Sequence, residues 1–315
     1  MNLQQLEYLA ALDAHRHFGK AAAECFVTQP TLSAMVQKIE EELGVKFFDR
    51  SRQPIVPTDA GERLLPQVRI ILREIERLRE MARQEEHSLT GELRLGIIPT
   101  LSPYLLPLFL PNFVEKYPTI HLKVTERVTD VLIDNLHKSL LDAAILATPL
   151  NDPMLREEVL FYEAFVVYSS HDYPKEYLLT EDIDASDLWL LEEGHCFRSQ
   201  IMQLCELREK QHLSVEYQAG SLETLKHLVD AQHGVTILPE LALRTLTPAQ
   251  MTKVKRFAAP EPVREISLVT HRHVVKERLL EALRTEVMAH LPEACRHRQP
   301  GQTPVEWRRN TQRRE

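Results

Sequence analysis

The fold is decided by one stretch near the amino terminus, Thr28-Gln29-Pro30-Thr31-Leu32-Ser33-Ala34-Met35-Val36-Gln37-Lys38-Ile39-Glu40-Glu41-Glu42-Leu43-Gly44. Thr28 is a fitting N-cap, Pro30 suits a first helical turn, and Gly44 is a typical helix stop. The apolar residues recur at helical spacing and predict one buried stripe, formed by Leu32, Val36, Ile39 and Leu43. The stretch therefore predicts a helix with a second, polar face.

The polar face of this helix carries short groups that suit base edges and phosphates, namely Gln29, Thr31, Ser33, Gln37 and Lys38. An amphipathic helical segment and a short alanine-rich one precede it, and two strand-like runs, residues 45–50 and 55–58, follow it. This order predicts a helix-turn-helix with a wing, on which Arg50 and Arg52 reach backbone phosphate or the minor groove. A plain helical bundle with a solvated polar face would share the polarity but not the wing.

The composition is that of an ordinary globular protein, since 43% of the 315 residues are hydrophobic and 27% are charged. The formal net charge is −8, so the chain is not basic overall and any DNA contact depends on a local surface. No apolar run approaches the roughly 20 residues of a membrane helix, and no secretory-signal pattern is present. We expect a cytoplasmic protein in a reducing compartment, with no membrane contact.

From Asp59 to about Glu86 the pattern is that of one long helix, roughly 40 Å in length. Its apolar residues alternate by four and three, as in a two-helix contact: Leu64, Val68, Ile71, Ile75, Leu78 and Ala82. Sustained charge on the other faces favours a free-standing pair of helices. Pro66 predicts either a kink or a late start. We assign residues 59–90 to a dimerisation helix and hinge that follow a DNA-binding domain at residues 1–58.

Residues 91–295 alternate strand-like and helix-like segments, which predicts α/β units with a parallel sheet. A second unit begins at Phe165, so we predict a two-lobed regulatory domain. Thr100 and Thr129 follow predicted strands, at the sheet edge where ligands of such folds bind. Residues 296–315 are polar, basic and rich in Pro and Gln, which is typical of a disordered tail.

Two of the four cysteines lie in one short segment, Gly194-His195-Cys196-Phe197-Arg198-Ser199-Gln200-Ile201-Met202-Gln203-Leu204-Cys205. His195 and Arg198 are potential cations beside Cys196, and positive neighbours stabilise the thiolate that attacks peroxide. A helix here would hold the two sulfurs roughly 13 Å apart, whereas a disulfide needs Cα atoms within about 7 Å. Bonding them requires unwinding, which couples oxidation to a change of shape. The alternative is a pair of ordinary, inert buried thiols, and the spacing is not that of a metal site.

Four motifs occur in order: Ala21-Ala22, Thr28-Gln29-Pro30-Thr31-Leu32-Ser33, Leu43-Gly44-Val45-Lys46-Phe47-Phe48-Asp49-Arg50 and Thr58-Asp59-Ala60-Gly61. In these motifs the chain resembles LysR-type transcriptional regulators. The resemblance implies a periplasmic-binding-protein-like effector domain, a homodimer or homotetramer on a roughly palindromic promoter site, and contact with RNA polymerase. The implied contacts to double-stranded DNA come from Gln29, Pro30, Thr31, Ser33, Gln37, Lys38, Arg50 and Arg52.

Further motifs are Ile98-Pro99-Thr100, Pro103-Tyr104-Leu105-Leu106-Pro107, Glu193-Gly194-His195-Cys196-Phe197-Arg198 with Cys205, and Ser221-Leu222-Glu223-Thr224-Leu225. They are similar to those of the family members that sense hydrogen peroxide and activate oxidative-stress genes. By this resemblance Cys196 is the peroxide-reactive thiolate and Cys205 is its resolving partner. The resemblance also implies that His195 and Arg198 shape the thiolate's surroundings and that Thr100 and Thr129 offer hydroxyls to peroxide. A cellular dithiol would restore the reduced form, and no cofactor or metal is implied.

Two other functions fit parts of the sequence. A LysR-type regulator that answers an organic metabolite would use Thr100 and Thr129 as ligand anchors and would respond without its cysteines. A thiol peroxidase would turn over repeatedly with a dithiol and would not need residues 1–60. Because a DNA-binding segment is predicted, we expect that the protein is not an enzyme. Ser199 stands where the peroxide sensors often have an acid, which bears on the redox rate and potential.

Overall fold

A computed structural model of the chain describes residues 1–84, 89–192, 194–205, 220–231 and 234–306. The chain divides into two compact units. The first is mainly Met1–Ser88, and the second takes in Leu89–Leu136, Leu141–Arg272 and Glu277–Glu315. Within the described ranges, no helix is both long enough and apolar enough to cross a membrane.

The α-helices of the described residues are α1 Leu3–His15, α2 Phe18–Glu24, α3 Gln29–Leu43, α4 Asp59–Gln84, α5 Ser102–Lys116, α6 Thr129–His137, α7 Cys196–Leu204, α8 Leu222–Asp230, α9 Pro248–Met251, α10 Glu277–His290 and α11 Glu293–Arg296. The strands are β1 Phe48–Asp49, β2 Val56–Pro57, β3 Gly91–Ile97, β4 Ile120–Glu126, β5 Ala143–Thr148, β6 Leu155–Ser169, β7 Tyr177–Leu178, β8 Leu188–Trp189, β9 Val235–Pro239, β10 Val254–Phe257, β11 Glu261–His271 and β12 Gln302–Pro304.

The first unit contains the predicted winged helix-turn-helix. The Thr28 hydroxyl oxygen accepts a hydrogen bond from the backbone N–H of Thr31 at 3.4 Å, and Pro30 lies in the first turn of α3. Gly44 ends α3 with a left-handed φ of 66°, a conformation that glycine adopts without a steric penalty. Strands β1 and β2 then pair antiparallel as the wing.

The core of this unit uses most of the predicted apolar stripe. Leu32, Val36 and Ile39 are fully buried, whereas Leu43 is 44% exposed and is a wrong assignment. Leu43 is the last residue of α3, so its side chain lies beyond the helices that cover the rest of the stripe.

Helix α4 begins at Asp59, so Pro66 lies inside it and does not mark a late start. Leu65 and Val68 are buried in the core of the first unit, whereas Leu64, which we placed on the seam, is 37% exposed. Leu78 is 67% exposed, and an apolar residue this open suits a contact with a second chain. Residues 85–88, which belong to the segment 59–90 predicted as dimerisation helix and hinge, lie outside the described residues.

The second unit is built on a mixed sheet with the strand order β4-β3-β5-β11-β6-β10-β7 along its main path. Strand β3 pairs in parallel with β4 and β5. Strand β11 pairs antiparallel with β5 on one side and β6 on the other. The parallel pairing predicted from the strand–helix alternation is confirmed for β3, β4 and β5. Strand β11 returns from the second half of the unit and joins antiparallel, which makes the sheet mixed.

Strand β6 belongs to both halves of this unit, as a two-lobed domain requires. Its part up to Ala164 pairs with β11, and its part from Phe165 onward pairs with β9. The second half therefore begins at Phe165, where the sequence predicted it.

The segment after residue 296 differs from the predicted disordered tail. Strand β12 pairs in parallel with Glu261–Val263 of β11. Strand β5 pairs with β11 only from Glu265 onward, so the backbone groups at Glu261–Val263 remain available to another strand. Polar composition gave no sign of this pairing, because backbone groups make it. Residues 307–315 lie outside the described residues.

Candidate functional site

The predicted DNA-contacting residues of α3 lie on its outward side. The exposed residues of this set are Gln29, Pro30, Thr31, Gln37 and Lys38, and the half-buried one is Ser33. An open groove of about 750 Å³ lies between α3 and the wing, and its lining includes Gln37, Arg50 and Arg52. A polar helix face beside a groove with arginines offers both base-edge and phosphate contacts.

The two wing arginines have different surroundings. The Arg52 side chain is 71% exposed, and its Nε lies 3.3 Å from Asp49 Oδ2. Arg50 Nη2 donates to Glu40 Oε2 at 3.0 Å, and the guanidinium carbon lies 5.3 Å from the ring centroid of Phe18. Arg50 is therefore part of the framework of this unit, whereas Arg52 is more open to phosphate.

Glu40, a residue that sequence reasoning missed, fixes the wing to α3. Its carboxylate is buried and accepts hydrogen bonds from the backbone N–H groups of Phe47 at 2.8 Å and Phe48 at 3.3 Å. The sequence did contain an indication of this role. Glu40 lies beside Ile39 on the buried side of α3, where a charged residue requires a partner.

The predicted peroxide-reactive residue, Cys196, is the first residue of α7 and has only 2% of its surface exposed. Gly194 turns the chain just before it with a φ of 96°. Burial raises the pKa of the Cys196 thiol, and two backbone N–H donors oppose that shift, namely Phe197 in the first turn of α7 and Ala147 on β5. The fold therefore places this sulfur where a negative charge receives donors.

Arg264 provides the positive charge next to Cys196. It lies on β11 and is fully buried, and Arg264 Nε donates to Glu163 Oε2 at 2.8 Å. Its Nη1 donates to Thr100 Oγ1 at 2.9 Å, and its guanidinium carbon lies 4.9 Å from the Phe197 ring centroid. The charge of Arg264 lowers the pKa of Cys196.

Burial nevertheless dominates the proton equilibrium of Cys196. Desolvation raises the pKa of Cys196 above its ordinary value, and the hydroxyl of Thr129, Arg264 and the two backbone donors oppose that shift. Thr129 is itself buried, and within the described part of the chain its Oγ1 has no hydrogen-bond partner at ordinary distance. A buried hydroxyl beside a buried thiol, with no other partner, is suited to a small polar ligand.

The sequence positions of His195 and Arg198 suggested that they supply positive charge to Cys196, whereas the charge that lowers the pKa of Cys196 comes from Arg264. His195 is buried, and burial lowers its pKa, so the imidazole is neutral near pH 7. Arg198 Nη1 donates to the carbonyl oxygen of Leu191 at 2.9 Å. Arg264 takes the electrostatic role expected of them, because the fold brings β11 against the start of α7.

Cys205 is the C-cap of α7, at the opposite end of the helix from Cys196. Burial raises the pKa of Cys205 to about 11. The intervening residues form one helix, so the two Cα atoms are roughly 13 Å apart, and a disulfide needs about 7 Å or less. Both cysteines are free thiols here. Residues 206–219, which follow Cys205 directly, lie outside the described residues.

Two family models match the chain and together cover most of its length. The model "Bacterial regulatory helix-turn-helix protein, lysR family" matches residues 3–62, and the model "LysR substrate binding domain" matches residues 86–292. The chain belongs to the LysR family of bacterial regulators. Its first unit is accordingly a LysR-type DNA-binding domain.

Relatives of this LysR-family chain include the DNA-binding transcriptional dual regulator OxyR of Escherichia coli K12, which is 36% identical over 92% of the chain and 97% of OxyR. A full-length, single-residue variant of OxyR from Pseudomonas aeruginosa is similar in structure, with a TM-score of 0.77, 33% identity, and coverage of 92% and 99% of the two chains. An H2O2-bound, cysteine-substituted OxyR from Corynebacterium glutamicum has a TM-score of 0.58, 31% identity and coverage of 92% of each chain.

Sequence reasoning missed Arg264 and Glu163 in this LysR-family site. Glu163 is the single charge of the apolar segment 159–168, whereas Arg264 is followed directly by Glu265, and Glu163 and Arg264 lie opposite each other in the β6–β11 pairing. An isolated charge in a buried strand calls for a partner, so the sign was present. The sequence alone did not show that the partners lie beside Cys196.

Proposed function

We propose that this protein is a hydrogen-peroxide sensor that activates transcription, as the names of its OxyR relatives describe for those proteins. One observation carries the proposal. Cys196 is buried at a helix start among the Thr129 hydroxyl, the Arg264 charge and two backbone donors, and a second cysteine ends the same helix. Inert buried thiols do not require such an arrangement.

The proposed chemistry has two balanced steps. The Cys196 thiolate attacks one oxygen of H2O2, the O–O bond breaks, and the products are Cys196 sulfenic acid and hydroxide. The Cys205 thiol then displaces the sulfenic oxygen as water and forms the S–S bond. Thr100 and Thr129 hold the peroxide in this scheme, and Arg264 stabilises the departing oxygen by its charge. His195 and Arg198 fix the position of the first turn of α7.

The second step couples chemistry to shape. Helix α7 must unwind before Cys205 reaches Cys196, and the refolded segment alters the packing of the regulatory domains. The active assembly is a homodimer or homotetramer that uses the exposed apolar side of α4, for which Leu78 is the marker. It acts in the cytoplasm, where it contacts promoter DNA and RNA polymerase, and a cellular dithiol returns it to the reduced form. In this scheme the protein is a regulator and not an enzyme.

The test is mass spectrometry of the reduced protein after stoichiometric H2O2, with thiol trapping and digestion. We expect a rapid Cys196–Cys205 link in the parent, no link in Cys196→Ser, and a Cys196 sulfenic acid in Cys205→Ser. Cys295→Ser is the matched control, because Cys295 is also buried and has a pKa raised to about 12, largely by that burial. Two unmodified thiols in the parent would contradict the proposal and would favour a metabolite-responsive LysR-type regulator.

A further inference from the structure

Residues 299–306 form a segment, here called the C-terminal strap, that the proposed chemistry does not use. It lies beyond residue 292, where the match to the LysR substrate binding domain ends. The strap is fastened to β11 by backbone hydrogen bonds from Glu261 N to Gly301 O and from Val305 N to Val263 O, each 2.8 Å long. The side chain of Gln302 adds a bond from its Nε2 to Glu261 Oε2 at 2.9 Å.

The far end of the strap holds the helix that carries the reactive thiol. Gln200 Nε2 donates to the carbonyl oxygen of Val305 at 2.8 Å. Gln200 lies one turn after Cys196 on α7, and none of its surface is exposed. Its other polar side-chain atom, Oε1, is buried and has no hydrogen-bond partner among the residues that the structure describes. Loss of the bond to Val305 would leave the buried Nε2 donor of Gln200 unpaired, so this bond favours the position of α7 in which it is made.

The strap therefore touches both elements that build the thiol pocket. It bonds to Val263, the residue immediately before Arg264, and it bonds to α7 four residues after Cys196. Gln200 also lies between Cys196 and Cys205 in the chain. Any unwinding that brings the two sulfurs from roughly 13 Å to bonding distance displaces Gln200 and breaks its bond to Val305.

We propose that the C-terminal strap holds α7 in its helical, reduced conformation and sets how readily the Cys196–Cys205 disulfide forms. The redox part of this inference rests on the proposed function, whereas the grip on α7 does not. Gln200 acts as a positioning residue, since it reaches the reacting sulfur only through the helix. One neutral hydrogen bond changes an equilibrium by about threefold to tenfold, which is the size of effect we expect.

The first experiment measures hydrogen–deuterium exchange of the α7 amides in the full-length, reduced protein. Val305→Pro removes the N–H that bonds Val263, and Val305→Ala keeps both backbone groups and is the matched control. Gln200→Met breaks the bond to Val305 from the α7 side. Methionine has a side-chain volume similar to that of glutamine but lacks both polar atoms, so we expect the rest of the fold to stay intact. We expect α7 to exchange about threefold to tenfold faster in Val305→Pro and Gln200→Met and to be unchanged in Val305→Ala. Equal exchange in all four proteins would overturn the proposal.

The second experiment measures the thiol–disulfide equilibrium of the same proteins in glutathione buffers. We expect the disulfide to be favoured about threefold to tenfold in the two strap variants, where tenfold corresponds to about 30 mV. Sulfenic acid formation at Cys196, measured in a Cys205→Ser background, should stay unchanged, because the strap acts on the later step. If the parent forms no disulfide but α7 exchange still responds, the proposed function fails and the strap's grip stands. If the disulfide forms in the parent but neither the α7 exchange rate nor the thiol–disulfide equilibrium changes in the variants, the proposal about the strap is wrong.

Discussion

The two ends of α7 carry the same chemical group in different surroundings. At the first end, Cys196 has a buried cation, a hydroxyl and two backbone donors that counter the effect of burial on its pKa. At the other end, burial alone raises the pKa of Cys205, to about 11. Among the described residues, groups that favour the thiolate are found at Cys196 and not at Cys205. In the proposed chemistry this difference sets the order of events, with Cys196 meeting the oxidant first and Cys205 completing the bond.

Of the changes that test this comparison, a change of pH should have the largest effect on the reaction rate of Cys196. Because the pKa of Cys196 is raised, its thiolate is the minor form near neutrality, and the thiolate fraction rises tenfold with each pH unit below the pKa. We expect sulfenic acid formation in Cys205→Ser to become about a hundredfold faster between about pH 6 and pH 8. Stopped-flow measurement of peroxide consumption checks this, with circular dichroism at each pH as the control for folding. A rate that levels off below about pH 7 would mean that the donors outweigh burial.

Arg264 gives the next largest expected effect. Arg264→Lys keeps a charge but loses the planar fork that joins Glu163 and Thr100, so we expect Cys196 to react about tenfold more slowly with H2O2. Arg198→Lys is the matched control, because Arg198 bonds the Leu191 carbonyl and should alter the rate less than about twofold. The same stopped-flow assay measures both variants, and urea unfolding verifies that each is folded. Equal slowing by the two variants would mean that the guanidinium geometry of Arg264 is no more important to the Cys196 thiol than that of Arg198.

Thr129 gives the smallest expected effect of the three. Thr129→Val removes a hydroxyl that lowers the pKa of Cys196, so we expect a rate about threefold to tenfold lower at neutral pH. Thr129→Ser retains the hydroxyl and should restore most of the rate. Alkylation of Cys205 by iodoacetamide should be the same in both variants, since Cys205 lies at the other end of the helix. A slowing that serine does not reverse would point to packing and not to the hydroxyl.

The sequence predicted the winged helix-turn-helix well because its signals are local. The cap at Thr28, the stop at Gly44 and the strands of the wing are each written in a few neighbouring residues. The thiol pocket was only half predictable. Cys196, Thr100 and Thr129 were identified, but the charge was assigned to near neighbours in the chain, whereas the fold supplies it from Arg264 on a distant strand. Strand β12 was missed for the same reason, since its partner is the β11 backbone.

The buried carboxylate of Glu40 has a consequence for gene control. By holding the amides of Phe47 and Phe48 and the guanidinium of Arg50, it makes the recognition helix and the wing a single stiff reading head. If the protein is the peroxide sensor proposed above, oxidation changes the spacing of two such heads and not the bases that each head reads. We then expect a target promoter to be distinguished by the number of base pairs between its half-sites as well as by the sequence of each half-site.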